Sequence, residues 1–95
     1  MHLIGRGVLN EFKKKYVDSK PHIDSWEKEV EEAQWSTPHD VKKRYPKVSI
    51  LTKKRAIFNI NGNKYRLCVI IDYASKIVLI KKIAIHSKYD KWNLN

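Results

Sequence analysis

From residue 54 onward the apolar residues stop recurring at helical intervals and gather into three runs, at 54–60, 63–72 and about 77–86, rich in Ile, Val, Phe and Tyr. Runs of that make-up read as strands. No helix-length segment separates them, and a parallel pair needs a crossover of about a dozen residues, so they predict an antiparallel meander. The chain before them has a different period. In GVLNEFKKKYV, Leu9, Phe12 and Tyr16 form one apolar stripe beside a lysine-covered face; in PHIDSWEKEVEEAQW the stripe is Ile23, Trp26, Val30 and Ala33, with Glu27, Glu29, Glu31 and Glu32 on other faces. Asp24 followed by Glu27 has capping-box spacing for the second helix, and Ser19 ahead of Pro21 is an equal alternative start. Thr37-Pro38-His39-Asp40 starts a third, short helix over DVKKRY that Pro46 ends, with Val41 and Tyr45 facing inward. Met1 to Ile4 is long enough for a strand and too short to assign by pattern. Helices first and strands afterwards give an α+β domain, and 95 residues hold one core.

The Asn61-Gly62 pair fixes the first hairpin, because both residues tolerate the positive φ that a two-residue type I′ turn requires. That turn sets Ile60 opposite Asn63, Phe58 opposite Tyr65, Ile57 opposite Arg66 and Ala56 opposite Leu67. Alternation then separates two faces. Ala56, Phe58, Ile60, Tyr65, Leu67, Val69 and Ile71 form an apolar face for Trp26 and Phe12 to cover, while Arg55, Asn59, Lys64 and Arg66 share the other with Ile57, Cys68 and Ile70. The second hairpin allows two registers. A loop of Tyr73, Ala74 and Ser75 pairs Asp72 with Lys76 and Arg66 with Lys82, and puts His86 on the face of Arg66. A loop of only Ala74 and Ser75 reverses that parity, since a one-residue slip exchanges every side chain between faces. The first is preferred, because it sets opposite charges across the ladder and keeps Lys82 off the core; Lys81 then has to snorkel outward.

Charge narrows the function. Lys and Arg number 20 against 10 Asp and Glu, a net charge of +10, and residues 36–95 carry all of it at +11 while residues 1–35 stand at −1. A field of that sign draws in polyanions, nucleic acid above all. The longest apolar run is far shorter than the ~20 residues that cross a bilayer, which predicts no membrane association. MHLIGRGVLNEF lacks the apolar stretch of a secretory signal, and one cysteine, Cys68, makes neither an internal disulfide nor a thiolate metal site. A cytoplasmic protein is the expectation. Zinc spacing, a Walker loop and a dinucleotide fingerprint are all missing from the sequence, so side chains have to grip any phosphate and no metal or cofactor is expected. Lys53, Lys54, Arg55, Lys64, Arg66, Lys82 and His86 are predicted to converge on the open sheet face, with Lys88 and Tyr89 just beyond. Arg offers phosphate a bidentate fork and Lys a point charge. Tyr89 or Trp92 is placed to stack a base. His2, His22 and His39 read as surface groups, and Trp26 and Trp35 as core or partner-interface aromatics.

The blocks RAIFNINGNKYRLCVIIDY and KKIAIHSKYDKW, with MHLI at the start and STPHDVKKRYP between, resemble the HigB-type toxins of bacterial type II toxin–antitoxin systems, within the RelE-like group of messenger-RNA interferases. The resemblance runs over essentially the whole chain. It implies N-terminal helices packed on one side of a small twisted antiparallel sheet, and metal-independent cleavage of messenger RNA on the ribosome by attack of a ribose 2′-OH on the adjacent phosphate. Arg66 resembles the phosphate-stabilising arginine of the group, His86 with Tyr89 its acid–base pair, and Lys53, Lys54 and Arg55 its basic groups before the strand. Some relatives place a glutamate there as base; this sequence has none, so the 2′-OH base stays unassigned. The implied partners are the ribosome, messenger RNA and a cognate HigA-like antitoxin. A non-catalytic RNA-binding or ribosome-associated protein is the alternative that the basic face also fits, and a DNA-binding sheet regulator a more distant one.

Overall fold

The computed structural model describes residues 1–52 and 54–89, the side chains of Lys88 and Tyr89 excepted. The order of elements is β1 (His2–Ile4), α1 (Arg6–Lys15), a 3-10 turn (Val17–Ser19), α2 (Lys20–Glu32), α3 (Pro38–Arg44), β2 (Ser49–Ile50), β3 (Arg55–Ile60), β4 (Tyr65–Asp72), β5 (Ile77–Ile85) and α4 (His86–Tyr89). The five strands form one sheet in the order β1-β5-β4-β3-β2. The expected meander is its centre, and β1 joins the edge parallel to β5, which makes the sheet mixed. Met1 to Ile4 is therefore a strand, although only the partner strand reveals it. Gly5 turns the chain from β1 into α1 at φ 95°, where a Cβ would stand 2.8 Å from the Ile80 carbonyl oxygen.

The helical stripes face the sheet as expected. Leu9 and Phe12 of α1, and Ile23, Trp26 and Val30 of α2, are buried against Phe58, Ile60, Tyr65, Leu67, Val69 and Ile71. Phe12 meets the Tyr65 ring edge-on at 5.1 Å, and Trp26 meets Phe58 edge-on at 5.3 Å. Of the two starts for α2, Ser19 ahead of Pro21 is the observed one; its hydroxyl donates to the Tyr16 carbonyl, and Asp24 lies inside the helix. α3 starts where expected, and Thr37 and Asp40 close it with a capping box. One carboxylate departs from its surface placement. Glu27 is buried between α1 and α2, accepting from Arg6 at 2.9 Å and Lys13 at 2.7 Å, because two cations from α1 offset its desolvation.

Both hairpin registers differ from expectation. In the first, Asn61 and Gly62 take φ of 54° and 65°, as an Asn-Gly pair should, but Ile60 pairs with Tyr65 and Asn59 with Arg66, so the loop is Asn61 to Lys64. The slip is two residues, and two residues preserve parity. Every side chain of β3 and β4 keeps its assigned face. In the second, Asp72 pairs with Ile77 and Val69 with Ile80, the parity of the register set aside. Lys76, at φ 60°, does not meet Asp72. Its ammonium donates to the Trp35 carbonyl at 2.8 Å and the Ser36 hydroxyl at 2.9 Å, fastening this turn to the helical layer.

Candidate nucleic-acid interface

The parity of β5 changes midway. Val78 and Ile80 point into the core opposite Ile71 and Val69, and the ladder then shifts between Val69 and Cys68, after which Cys68 pairs with Lys82, Leu67 with Ile83 and Arg66 with Ala84. Lys81 is the unpaired residue of a β-bulge. The bulge lets Ile83 and Ile85 pack on the core while Lys82 and Ala84 return to the side of Arg66. Arg66 thus faces Ala84 and not Lys82, but Lys82 is on the side assigned to it; His86 opens α4, where strand alternation no longer assigns a side. Lys81 reaches solvent because it is the bulged residue. The signal lies in Ile80-Lys81-Lys82-Ile83, where apolar alternation stops at two lysines and resumes on the other parity.

The face away from the helices has an apolar floor. Ile57 and Cys68, cross-strand neighbours, are 1% and 3% exposed yet lie outside the helix-side core. Burial raises the Cys68 thiol above its ordinary pKa, against the weaker opposing pull of the Lys82, Arg55 and Lys81 charges. The thiol is a protonated floor group. Arg66 lies between Asn59 and Ala84 and is 9% exposed. Its Nη1 donates to the carbonyls of Asn63 at 2.9 Å and Tyr65 at 3.3 Å, so the hairpin loop holds the guanidinium in place. His86 opens α4, and its backbone N–H donates to the Lys64 carbonyl at 3.0 Å. The loop Asn61 to Lys64 therefore anchors both residues.

The remaining cations spread along the sheet and do not meet at one point. Arg55 pairs with Ile70, four residues along β4 from Arg66 and so roughly 13 Å away at ~3.3 Å per residue. Lys54, at φ 62°, stands at that far end with its Nζ 3.7 Å from Asp72. The Asp72 carboxyl is held below its ordinary range by hydrogen bonds from Ser75, with the Lys54 charge adding to them. Among the described residues, Lys64 is the predicted cation that leaves the face. Its ammonium is 2.5 Å from Asp18 of the 3-10 turn, on the helical side. An exposed loop residue swings to the nearest carboxylate, and alternation does not constrain it. Lys53 and Trp92 lie outside the described residues, as do the side chains of Tyr89 and Lys88; the backbone of the latter two continues α4. Among the described residues no three His, Cys, Asp or Glu gather to hold a metal ion, and no helix is long and apolar enough to cross a membrane.

Helices on one side of a small twisted sheet, with a cation-lined face on the other, define an α+β domain of RelE-like architecture. Residues 19–92 match the family model of the HigB toxin, described as the RelE-like toxic component of a toxin–antitoxin system, and the chain belongs to that family. It is similar to the mRNA interferase HigB of Escherichia coli O6:H1, with 26% identity over 93 residues that cover 96% of this chain and 90% of that protein. With the mRNA interferase toxin HigB of Escherichia coli K12 it shares 24% identity over 92 residues, covering 95% and 88% of the two chains.

Proposed function

We propose that this toxin is a messenger-RNA endoribonuclease that acts on the ribosome. The observation that carries the reading is the bulge at Lys81, which brings the end of β5 back to the side of Arg66 and sets His86 at the same hairpin loop. In the proposed reaction the ribose 2′-hydroxyl loses its proton to solvent water, its oxygen forms a bond to the adjacent phosphorus, the bond from phosphorus to the 5′-oxygen breaks, and the products are a 2′,3′-cyclic phosphate and a 5′-hydroxyl. The phosphorane gathers negative charge on its nonbridging oxygens. A guanidinium already fixed by two carbonyls can stabilise that charge without reorganising. His86 donates the proton to the departing 5′-oxygen, with Tyr89 as its partner, since imidazole is the side chain suited to proton transfer near neutral pH. Arg55, Lys82 and Lys54 hold the flanking phosphates, which fits their spread along the sheet.

Mapping RNA ends after brief expression tests the reaction, with Arg66→Ala as the control. New ends from the wild type alone support it; no new ends from either protein would show a binding protein only. In single turnover on saturating ribosomes, His86→Ala lowers the rate by roughly 10²–10⁴-fold, the usual contribution of a general acid. A normal rate across pH would remove His86 from the chemistry. The inhibitory partner in this reading is a HigA-like antitoxin presenting an acidic segment to the basic face. The α2 carboxylates support that choice over docking on the helices: Glu27 and Glu31 bind Arg6, Glu29 binds Arg44, and Asp24 binds Lys13 and Lys20. Copurification with the neighbouring gene product tests the partner, and amide protection confined to residues 8–35 would reject this placement.

A further inference from the structure

The loop that anchors Arg66 and His86 is itself clamped from the other side of the sheet. Asp18, in the 3-10 turn between α1 and α2, accepts through Oδ1 from the Tyr65 hydroxyl at 2.6 Å, and through Oδ2 from Lys64 at 2.5 Å and Asn61 Nδ2 at 3.4 Å. All three donors belong to the loop or to the first residue of β4. The turn that carries Asp18 is fixed in its own right. Ser19 Oγ donates to the Tyr16 carbonyl at 2.6 Å, and the Tyr16 ring packs 4.6 Å from Phe12 and 5.6 Å from Tyr65. The Tyr65 ring is fully buried, so its hydroxyl is delivered to Asp18 from a rigid base. From the clamped loop the Asn63 carbonyl reaches Arg66 and the Lys64 carbonyl reaches His86.

We infer that Asp18 is a positioning residue for cleavage, setting the Asn61 to Lys64 loop and through it both Arg66 and the start of α4; the inference rests on the nuclease reading above. Asp18 touches no substrate in this scheme, because it faces the helical layer. Its effect is geometric. Exposed ion pairs contribute little to stability, and the Asp18 and Lys64 side chains are 46% and 58% exposed, so losing the carboxylate need not unfold the domain. Catalytic geometry is far less tolerant, since a displacement of about 1 Å can cost ~10²-fold in rate.

The test uses the full chain with Asp18→Ala, Asp18→Asn and Tyr65→Phe in single-turnover cleavage on programmed ribosomes. Asp18→Ala is expected to lower the saturated rate by roughly 10- to 100-fold while leaving the half-saturating ribosome concentration unchanged. Asp18→Asn, which keeps an acceptor for Tyr65, loses less. Tyr65→Phe leaves the buried ring packed and moves the rate in the same direction, and the double variant Asp18→Ala/Tyr65→Phe is no slower than the worse single one, because Asp18→Ala already removes the one hydrogen bond that Tyr65→Phe deletes. A wild-type rate in both Asp18→Ala and Tyr65→Phe overturns the inference, as does a loss that disappears below the melting transition. If Asp18→Ala fails to fold, Tyr65→Phe decides alone. A wild-type protein that leaves the message uncut would defeat the nuclease reading instead, and exchange of the His86 amide then judges the linkage: faster exchange in the variants sustains it, and unchanged exchange overturns it.

Discussion

The two hairpins of this sheet obey the same alternation and respond differently to a miscounted loop. The β3–β4 loop is two residues longer than its Asn-Gly pair suggests, and no side chain within β3 or β4 changes face. The β4–β5 connection departs from the expected register by one residue, and without a correction Lys82 and Ala84 would point into the core. The bulge at Lys81 supplies the correction. An even slip is silent and an odd one has to be repaired in the strand. The repair stands next to the residues the proposed chemistry needs.

Adding a second residue after Lys82 should have the largest effect. It reverses Ile83 and Ile85, both half-buried on the core, and displaces the start of α4 from the Lys64 carbonyl that holds the His86 amide. We expect a loss of about 2 kcal/mol from the two isoleucines, seen as a fall of roughly 8–16 °C in melting temperature, with cleavage abolished. An unchanged melting temperature would show that the strand end re-slides and that the bulge does not set register. Deleting Lys81 is milder. Each pair from Cys68–Lys82 onward can survive, but the bend that aims α4 is lost, so cleavage should fall roughly 10²-fold with a smaller thermal shift. A wild-type rate in this variant would leave the bulge without a functional part.

The first hairpin should tolerate an even change. Deleting Gly62 and Asn63 together keeps parity and the core, at a cost of about 1–2 kcal/mol for the positive φ imposed on Lys64, and removes one of the two carbonyls that hold Arg66. Near-native circular dichroism with cleavage reduced about tenfold is expected, a smaller loss than Lys81 deletion causes. A collapsed fold would contradict the parity argument. Gly62→Ala isolates the backbone strain: no neighbour lies within 4 Å of the added methyl, so about 1 kcal/mol from φ 65° is the whole expected cost, read from a urea midpoint.

Acid should loosen both turns. Hydrogen bonds from Lys64 and Tyr65 hold the Asp18 carboxyl below its ordinary 3.8, and those from Ser75 do the same for Asp72. A carboxyl with a depressed folded pKa contributes stability that is fully present above the unfolded value and is lost as pH falls through the folded one. Amide protection in both loops, measured relative to the intrinsic exchange rate at each pH, should therefore fall below about pH 4, and Asp18→Asn should remove the dependence from the first loop alone. The same acid response in that variant would assign it to another group.

Much of this architecture is legible from residue types. Leu9, Phe12, Ile23, Trp26 and Val30 announce two helices with one covered face, Thr37 to Asp40 announces a capped third, and the Ile- and Val-rich runs announce the meander. These are local decisions. A stripe repeats within one helix, a cap closes within four residues, and strand preference follows from the shape of the side chain. The distribution of charge was as plain, since it is read by counting.

What tertiary structure alone decided are matters of partnership. β1 is three residues long and exists because β5 offers it a parallel edge, and β2 is two residues long beside β3. Glu27 is buried because Arg6 and Lys13 of another helix reach it, and Lys64 leaves the sheet face because Asp18 stands 46 positions away in sequence and 2.5 Å away in space. The Lys81 bulge arises where the hydrophobic faces of two strands demand opposite parities along one ladder. Propensity and spacing act over a few residues and were fixed by the sequence itself; ion partners, edge pairing and ladder register depend on which distant segments fold into contact, and the packed core makes that choice.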